Sequence, residues 1–419
     1  MTLTELRSLM LIDLSVITEL PGYSDYQSAP RGKISLPFYQ MKLQMKKFNL
    51  IIVLFTALVI SSTAAYSQDT TRTFTLSGSL DTYARTAFGY KSIAPETAFA
   101  KGKGFGIGMA NLIASYEGEK VGFVADLVFG PRGREAVFNS EQGIVNQLFA
   151  YVKVSDALTV NMGQFNTFVG YEVISPAVNF HYSTSYMFSY GPFSHTGVRA
   201  DFSFGDGMVA KLAVLNPTDF LEMNPYNTYT IGGQIGKTSD AGGVWLNLLY
   251  GDQDGKLDED DDFDGDTGSQ GSLFQVDLTA GYTLSETFYL GINTSYQTVA
   301  PGQFYDADAD ELEDLDGDAG SFFGIALYPK LTLSETFSLG ARVEHLMVKN
   351  GHLGGVVSLD EEGEGSVTTF TLSGNFILDN LTIIPEIRVD KMSEDSFDDK
   401  DGEGTDILPS LTLAAVYRF

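Results

Sequence analysis

At 419 residues, with 54 Asp and Glu against 26 Lys and Arg, the chain carries a formal charge of -28, which excludes nucleic-acid binding and a polybasic membrane-surface mode. It contains no Cys, so no disulfide framework, thiolate nucleophile or cysteine-ligated metal is available. A mean hydropathy near zero excludes a bundle of membrane helices, each of which needs an apolar run of about 20 residues.

Residues 1–44 precede an export signal and are expected to be an over-called start or an unstructured leader. Residues 45–68 read as a signal peptide: Lys46-Lys47 is a charged opening, Phe48 to Ile60 an apolar stretch, and Ser61 to Gln68 a small-residue cleavage zone. A membrane-anchoring helix is the rival reading, but the stretch is shorter than the roughly 20 residues a span requires. Residues 69–419 are expected to form one exported domain that is integral to the cell outer membrane.

From Thr73 onward the recurring signal is alternation with a period of two. Phe74, Leu76 and Leu80 alternate with Thr75, Ser77, Ser79 and Asp81. Val198, Ala200, Phe202 and Phe204 alternate with Gly197, Arg199, Asp201 and Ser203. Phe288, Leu290, Ile292, Thr294 and Tyr296 oppose Tyr289, Gly291, Asn293, Ser295 and Gln297. Leu381, Ile383, Ile387 and Val389 oppose Thr382, Glu386, Arg388 and Asp390. One face suits lipid and the other water, and the polar face carries charges of both signs that a closed apolar core would not tolerate unpaired. Pro385 inside the last of these strands removes one ladder bond.

Connections alternate as well. Short turns fall near residues 117–119, 155–156, 205–207, 238–242, 284–287, 333–336 and 378–380. Long loops lie near 86–104, 130–143, 165–195, 216–227, 251–271, 300–320, 350–365 and 392–405. Short periplasmic turns on one rim and long external loops on the other predict an all-β fold: a transmembrane antiparallel β-barrel of about sixteen strands. Leu411, Leu413, Ala415, Tyr417 and Phe419 alternate to the very end, and the terminal Phe419 with Tyr417 two residues earlier is similar to the signal read by the barrel assembly machinery.

The stretch Asn179-Phe-His-Tyr-Ser-Thr-Ser-Tyr-Met-Phe-Ser-Tyr-Gly-Pro-Phe-Ser-His-Thr-Gly-Val198 resembles the hallmark of the OmpL-like β-barrel porin family of the Bacteroidota, most specifically in Gly191-Pro192-Phe193 and His195-Thr196-Gly197. The resemblance implies a porin-like barrel. Members often carry Arg where this chain has Thr184, so a pore role resting on that charge does not carry over.

The third long loop is the longest, aromatic and nearly uncharged, with Glu172 its sole carboxylate. It is expected to fold into the lumen and narrow it, placing Glu172, His181, Tyr182, Tyr186, Tyr190 and His195 at a constriction, since aromatic burial offsets the entropy of ordering it. The alternative is that it covers the mouth or packs between strands. Lumen charges that would set selectivity are, by alternation, Lys153, Arg199, Lys211, Arg342 and Arg388 against Asp126, Asp201, Asp277, Glu344 and Glu386. Equally, these could pair across strands and merely keep the interior solvated. In the fifth loop, Asp260, Asp262 and Asp264 followed by Gly265 match the first half of a calcium-binding loop, yet position twelve is Gly271 instead of Glu. Bound Ca2+ is therefore set against solvated, self-repelling loops, and no other cofactor is expected.

Four His, no Cys and no Ser-centred motif argue against an enzyme. The function expected is a channel for passive diffusion of small hydrophilic solutes or ions; the alternative is a plugged barrel that binds or adheres through its acidic loops. Expected partners are outer-membrane lipid, small solutes and the assembly machinery, and no oligomeric state can be read.

Overall fold

A computed structural model of the chain describes residues 72–92, 99–138, 143–257, 267–306, 311–315, 317–351 and 356–419. The expected leader, the signal peptide and Asp260, Asp262 and Asp264 lie outside the described residues.

Alternation becomes sixteen antiparallel strands. The first eight are β1 (Thr73–Thr86), β2 (Gly104–Glu117), β3 (Val121–Phe129), β4 (Val145–Ser155), β5 (Leu158–Asn166), β6 (Ser194–Gly205), β7 (Met208–Leu215) and β8 (Thr230–Ser239). The second eight are β9 (Gly242–Asp252), β10 (Ser272–Thr283), β11 (Phe288–Val299), β12 (Gly320–Ser334), β13 (Phe337–Lys349), β14 (Gly365–Leu378), β15 (Leu381–Met392) and β16 (Ile407–Arg418). Each pairs with the next, and β1 pairs with β16, so the sheet closes without an edge. Closure is what lets a sheet live in hydrocarbon, because it leaves no edge strand whose backbone N–H and C=O groups lack a partner where water is absent.

The faces are inverted relative to a water-soluble sheet. On β9, Asn247 is 0% exposed while its neighbours Leu246 and Leu248 are 39% and 43% exposed. Asp126, Gln275, Arg342 and Arg388 are likewise buried, and Met162, Leu212 and Ile235 lie open on the outside. Such a surface is stable against acyl chains and would aggregate in water. Aromatic pairs mark both ends of the outer wall. Tyr116 stacks on Phe123 and Phe337 on Phe376 near the short turns. Toward the long loops, Phe274 sits opposite Tyr250 and Tyr296 opposite Phe323. Rings at both interfaces are the anchoring girdles of a membrane barrel.

Seven short turns and eight long loops alternate, as the sequence predicts. One of the two-residue turns, Asp206-Gly207, holds both residues at positive φ (50° and 73°), a primed geometry whose twist matches the strands it joins. Two prolines interrupt ladders. The β14–β15 pairing skips from Ser373–Glu386 to Phe376–Ile383 around Pro385, and the β12–β13 pairing skips from Leu327–Val343 to Lys330–Gly340 beside Pro329. Neither proline has an N–H to give, and the loss stays local because the other edge of each strand remains paired.

The chain end completes the barrel. Phe419 donates its N–H to Gly78 O at 3.0 Å and accepts from Gly78 N at 3.1 Å. Gly78 must be glycine here, since a Cβ would run into the Asn111 backbone carbonyl and then the Phe419 ring.

Candidate functional site: a loop crossing the lumen

The β5–β6 ladder extends to a hydrogen bond from Thr167 N to Phe193 O at 3.1 Å, after which the intervening loop, L3, turns into the barrel. Inside, Tyr182, Thr184 and Tyr186 are 0% exposed and Ser183 and Ser185 no more than 2%. L3 carries almost no charge of its own, so the wall supplies it. Glu386 accepts Tyr182 N–H at 2.8 Å and Ser183 N–H at 3.1 Å. Glu344 accepts Tyr186 N–H at 2.9 Å and Met187 N–H at 2.7 Å. The latter two open a short helix, α1 in L3 (Tyr186–Tyr190), and their N–H groups have no helical acceptor, so a wall carboxylate satisfies donors that would otherwise be stranded in the interior. Ser185 caps the same turn by accepting from Phe188 N at 3.0 Å.

The carbonyls of L3 face cations. Arg342 donates to Glu172 at 2.6 Å, to Ser183 O at 2.8 Å and to Thr184 O at 3.2 Å. Arg388 donates to Thr184 O at 2.6 Å and pairs with Asp390 at 2.8 Å, its guanidinium over the Tyr186 ring. Where the family resemblance leads one to expect Arg in place of Thr184, positive charge thus arrives from two strands of the wall. Arg132, from the helix Pro131–Ala136 in the second long loop, reaches Ile174 O at 3.0 Å and Tyr182 O at 3.1 Å. The Tyr182 hydroxyl donates to Asp81 across the lumen, His181 meets Ser373 at 2.8 Å, and the Tyr190 hydroxyl accepts from Val357 N at 3.2 Å.

Of the residues predicted for this loop, Glu172, His181, Tyr182, Tyr186 and Tyr190 are gathered in the lumen. His195 is not on the loop: β6 begins at Ser194, and His195 is part of the wall, packed between Phe165 and Phe168 with its ring 2.9 Å from Thr167 Oγ1. Of the ten predicted lumen charges, Arg342, Arg388, Glu344, Glu386 and Asp277 hold L3, the last by accepting Gly170 N–H at 3.0 Å. The other five do not touch it through an ion pair or hydrogen bond. Asp126 is bound by Asn111 and Asn146, Arg199 pairs with Asp201 at 2.8 Å, Lys211 donates to Gln234, and Lys153 pairs with Glu117 at 2.7 Å near the short-turn rim. Sequence reading missed Asp81, Arg132, Asp390 and Lys330. Asp81 and Asp390 stood on the polar face of alternating strands, whereas Arg132 lies in a loop, where no period points inward. Among the described residues no group of three or more His, Asp or Glu is placed to hold a metal ion.

L3 leaves the lumen past Asp219, in the fourth long loop, whose Oδ1 accepts the N–H groups of Phe193 and Ser194 at 2.8 and 2.9 Å. Burial pushes its carboxyl from 3.8 up to about 7, against those two hydrogen bonds, which pull down. A folded value above the unfolded one means the fold binds the extra proton, so this contribution to stability is full below pH 4 and is lost as pH rises through 7. Asp219→Asn keeps the acceptor and removes the titration. The variant should therefore surpass the parent in resistance to urea at pH 8 and match it near pH 4; parallel curves across that range would remove Asp219 as the cause.

Two spaces flank L3. On the short-turn side is a vestibule of about 970 Å³ reaching Thr238, Ser239 and Gly242 beside a short turn. Between L3 and the polar strip Gln275, Asp277, Asn293 and Ser295 on β10 and β11, a cavity of only about 10 Å³ remains, room for a single water. Toward the long loops the interior is filled by apolar clusters, one built on Tyr186, Met187, Tyr190 and Phe322 and another on Phe165, Val169 and Leu249.

A closed sixteen-strand sheet with a lipid-facing exterior, a polar interior and a loop drawn across the lumen defines an integral outer-membrane channel barrel of the porin type. The chain belongs to the family described as Putative beta-barrel porin-2, OmpL-like, whose model matches residues 73–419. This is a family of channels, not of enzymes. Among solved structures, the outer membrane channel DcaP of Acinetobacter baumannii is 12% identical with a TM-score of 0.54, covering 84% of this chain and 99% of that one. In-vitro folded OmpT of Vibrio cholerae is 12% identical with a TM-score of 0.52, at 84% and 99% coverage. Salmonella typhi OmpF, in complex with daunomycin, is 12% identical with a TM-score of 0.51, at 83% and 98% coverage. At such identities the likeness is one of fold. No curated protein matches the chain.

Proposed function

We propose that the protein is a channel for passive diffusion of small hydrophilic solutes or ions, with L3 as its constriction. The observation that carries this reading is the anchoring of L3 across the lumen by Glu344, Glu386, Arg342 and Arg388 from β13 and β15. Loop N–H groups fixed on wall carboxylates hold a narrow place steady, and fixed charge at a narrow place acts on a passing solute more strongly than charge at an open mouth. Solutes would pass along the polar strip Gln275, Asp277, Asn293 and Ser295, where a small polar-lined gap lies between the loop and the wall. Residues 45–68 would direct export after a leader at 1–44, and Phe419 would present the chain to the assembly machinery.

A second reading, a plugged barrel that binds a surface partner through its acidic loops with or without Ca2+, is favoured by the smallness of that 10 Å³ gap. Liposome swelling separates the two. Graded uptake that falls with sugar size is expected of the channel; no uptake of any sugar by correctly folded protein would leave the plugged barrel standing.

A further inference from the structure

The vestibule is unusual for a chain of charge -28. Three cations line it, Arg199, Lys211 and Lys330, and a single carboxylate, Glu172. Glu172 is spent on Arg342 and on Ser185 N–H, each at 2.6 Å. Arg199 is neutralised by Asp201, which takes its Nε at 2.8 Å and its terminal nitrogen at 2.9 Å. Lys211 and Lys330 remain, and among the described residues neither forms an ion pair. Lys211 donates only to the neutral amide of Gln234, and Asp201, opposite it in the β6–β7 ladder, is already bound by Arg199. The Lys330 ammonium lies 4.9 Å from the centroid of the Tyr289 ring and 5.9 Å from that of Phe180, partners that attract a cation without cancelling its charge. The acidic residues of the adjoining turns, Asp206, Asp240, Glu286 and Glu335, are exposed on the rim, where water and salt screen them.

Two uncompensated ammonium groups in a chamber with low-dielectric walls focus a positive potential into it. We propose that this vestibule is a binding site for small organic anions, carboxylate- or phosphate-bearing molecules. Their charge is drawn by Lys211 and Lys330, and their body lies against Phe180, Tyr289 and Trp245. A chamber of 970 Å³ is at the upper end of the range of about 300–1,000 Å³ typical of small-molecule sites. The inference names the solute class for the channel proposed above and rests on that reading, yet its test does not depend on conduction.

Trp245 is the only tryptophan in the chain and it lines the vestibule, so its fluorescence reports the local potential. In non-ionic detergent at constant ionic strength, iodide should quench it several-fold more strongly than caesium, with neutral acrylamide between them. Lys211→Gln with Lys330→Gln should abolish the preference, and each single variant should reduce it. Lys237→Gln, changing an exposed lysine bonded to Asp206 O, should leave it intact. Succinate should protect against iodide saturably, in excess of chloride at matched ionic strength. Folding of each variant is checked by the shift in gel migration between boiled and unboiled samples. Caesium quenching equal to iodide, an iodide preference surviving the double change, no protection by succinate, or no quenching by acrylamide would each overturn the proposal. Absence of liposome swelling with the iodide preference intact would instead sink the channel reading and leave the anion site.

Discussion

Excising residues 170–191 and rejoining the ends through a short Gly-Ser linker is expected to raise single-channel conductance several-fold while leaving a folded, heat-modifiable barrel. Geometry permits the operation, because Thr167 and Phe193 already face each other across a hydrogen bond of 3.1 Å and the β5–β6 ladder ends there. The wall does not need L3 for its backbone bonds, since all sixteen strands pair with their neighbours. What the deletion strands are Arg342, Glu344, Glu386 and Arg388, which lose their loop partners. In a lumen now open to water these groups would be hydrated and screened, so the cost is far smaller than that of orphaning them in a dry interior. The recording to make is planar-bilayer conductance in symmetrical salt. Conductance equal to that of the intact protein would show that the narrowest place lies elsewhere and that L3 is no constriction.

The wall was legible in the sequence because its physics is periodic. One residue in two meets lipid, so Leu246 and Leu248 bracket Asn247 in the text as they do in space, and the lengths of the connections tell the two rims apart. The same period put Arg342, Glu344, Glu386 and Arg388 on the inner face. It did not say what they hold, because their partners are backbone groups of L3 between 157 and 204 positions away, and backbone groups carry no residue-type signature. Arg132 and Lys330 escaped for different reasons. Arg132 is aimed by a loop helix opened by Gly130 at positive φ, which no alternation predicts. Lys330 follows Pro329 at the break in the β12–β13 ladder, where a period-two count loses its footing. His195 marks the end of the long connection 165–195 in the sequence, but β6 starts one residue before it.

Arg342→Met should free L3 while the barrel stays closed. The guanidinium is 0% exposed and joins the Glu172 carboxylate to two L3 carbonyls, with Thr371 Oγ1 at 3.2 Å behind it. Methionine fills much of the volume and supplies none of the donors, so Glu172, with a side chain only 4% exposed, is left as a buried charge with Ser185 N–H as its remaining hydrogen-bond donor. Breaking a buried pair from one side typically costs about 3–5 kcal/mol, mostly the desolvation of the charge left behind. The sixteen-strand ladder does not pass through Arg342's side chain, so the cheapest response is for L3 to withdraw from the wall and hydrate Glu172. Limited proteolysis should then cut within L3 in Arg342→Met and spare the parent, and channel recordings should become larger and noisier. Adding Glu172→Gln removes the orphaned charge, and the double variant should recover much of the protection because the two changes are coupled through one contact. If Arg342→Met resists protease as well as the parent, the arginine is not what holds the loop, and the carboxylates Glu344 and Glu386 must suffice.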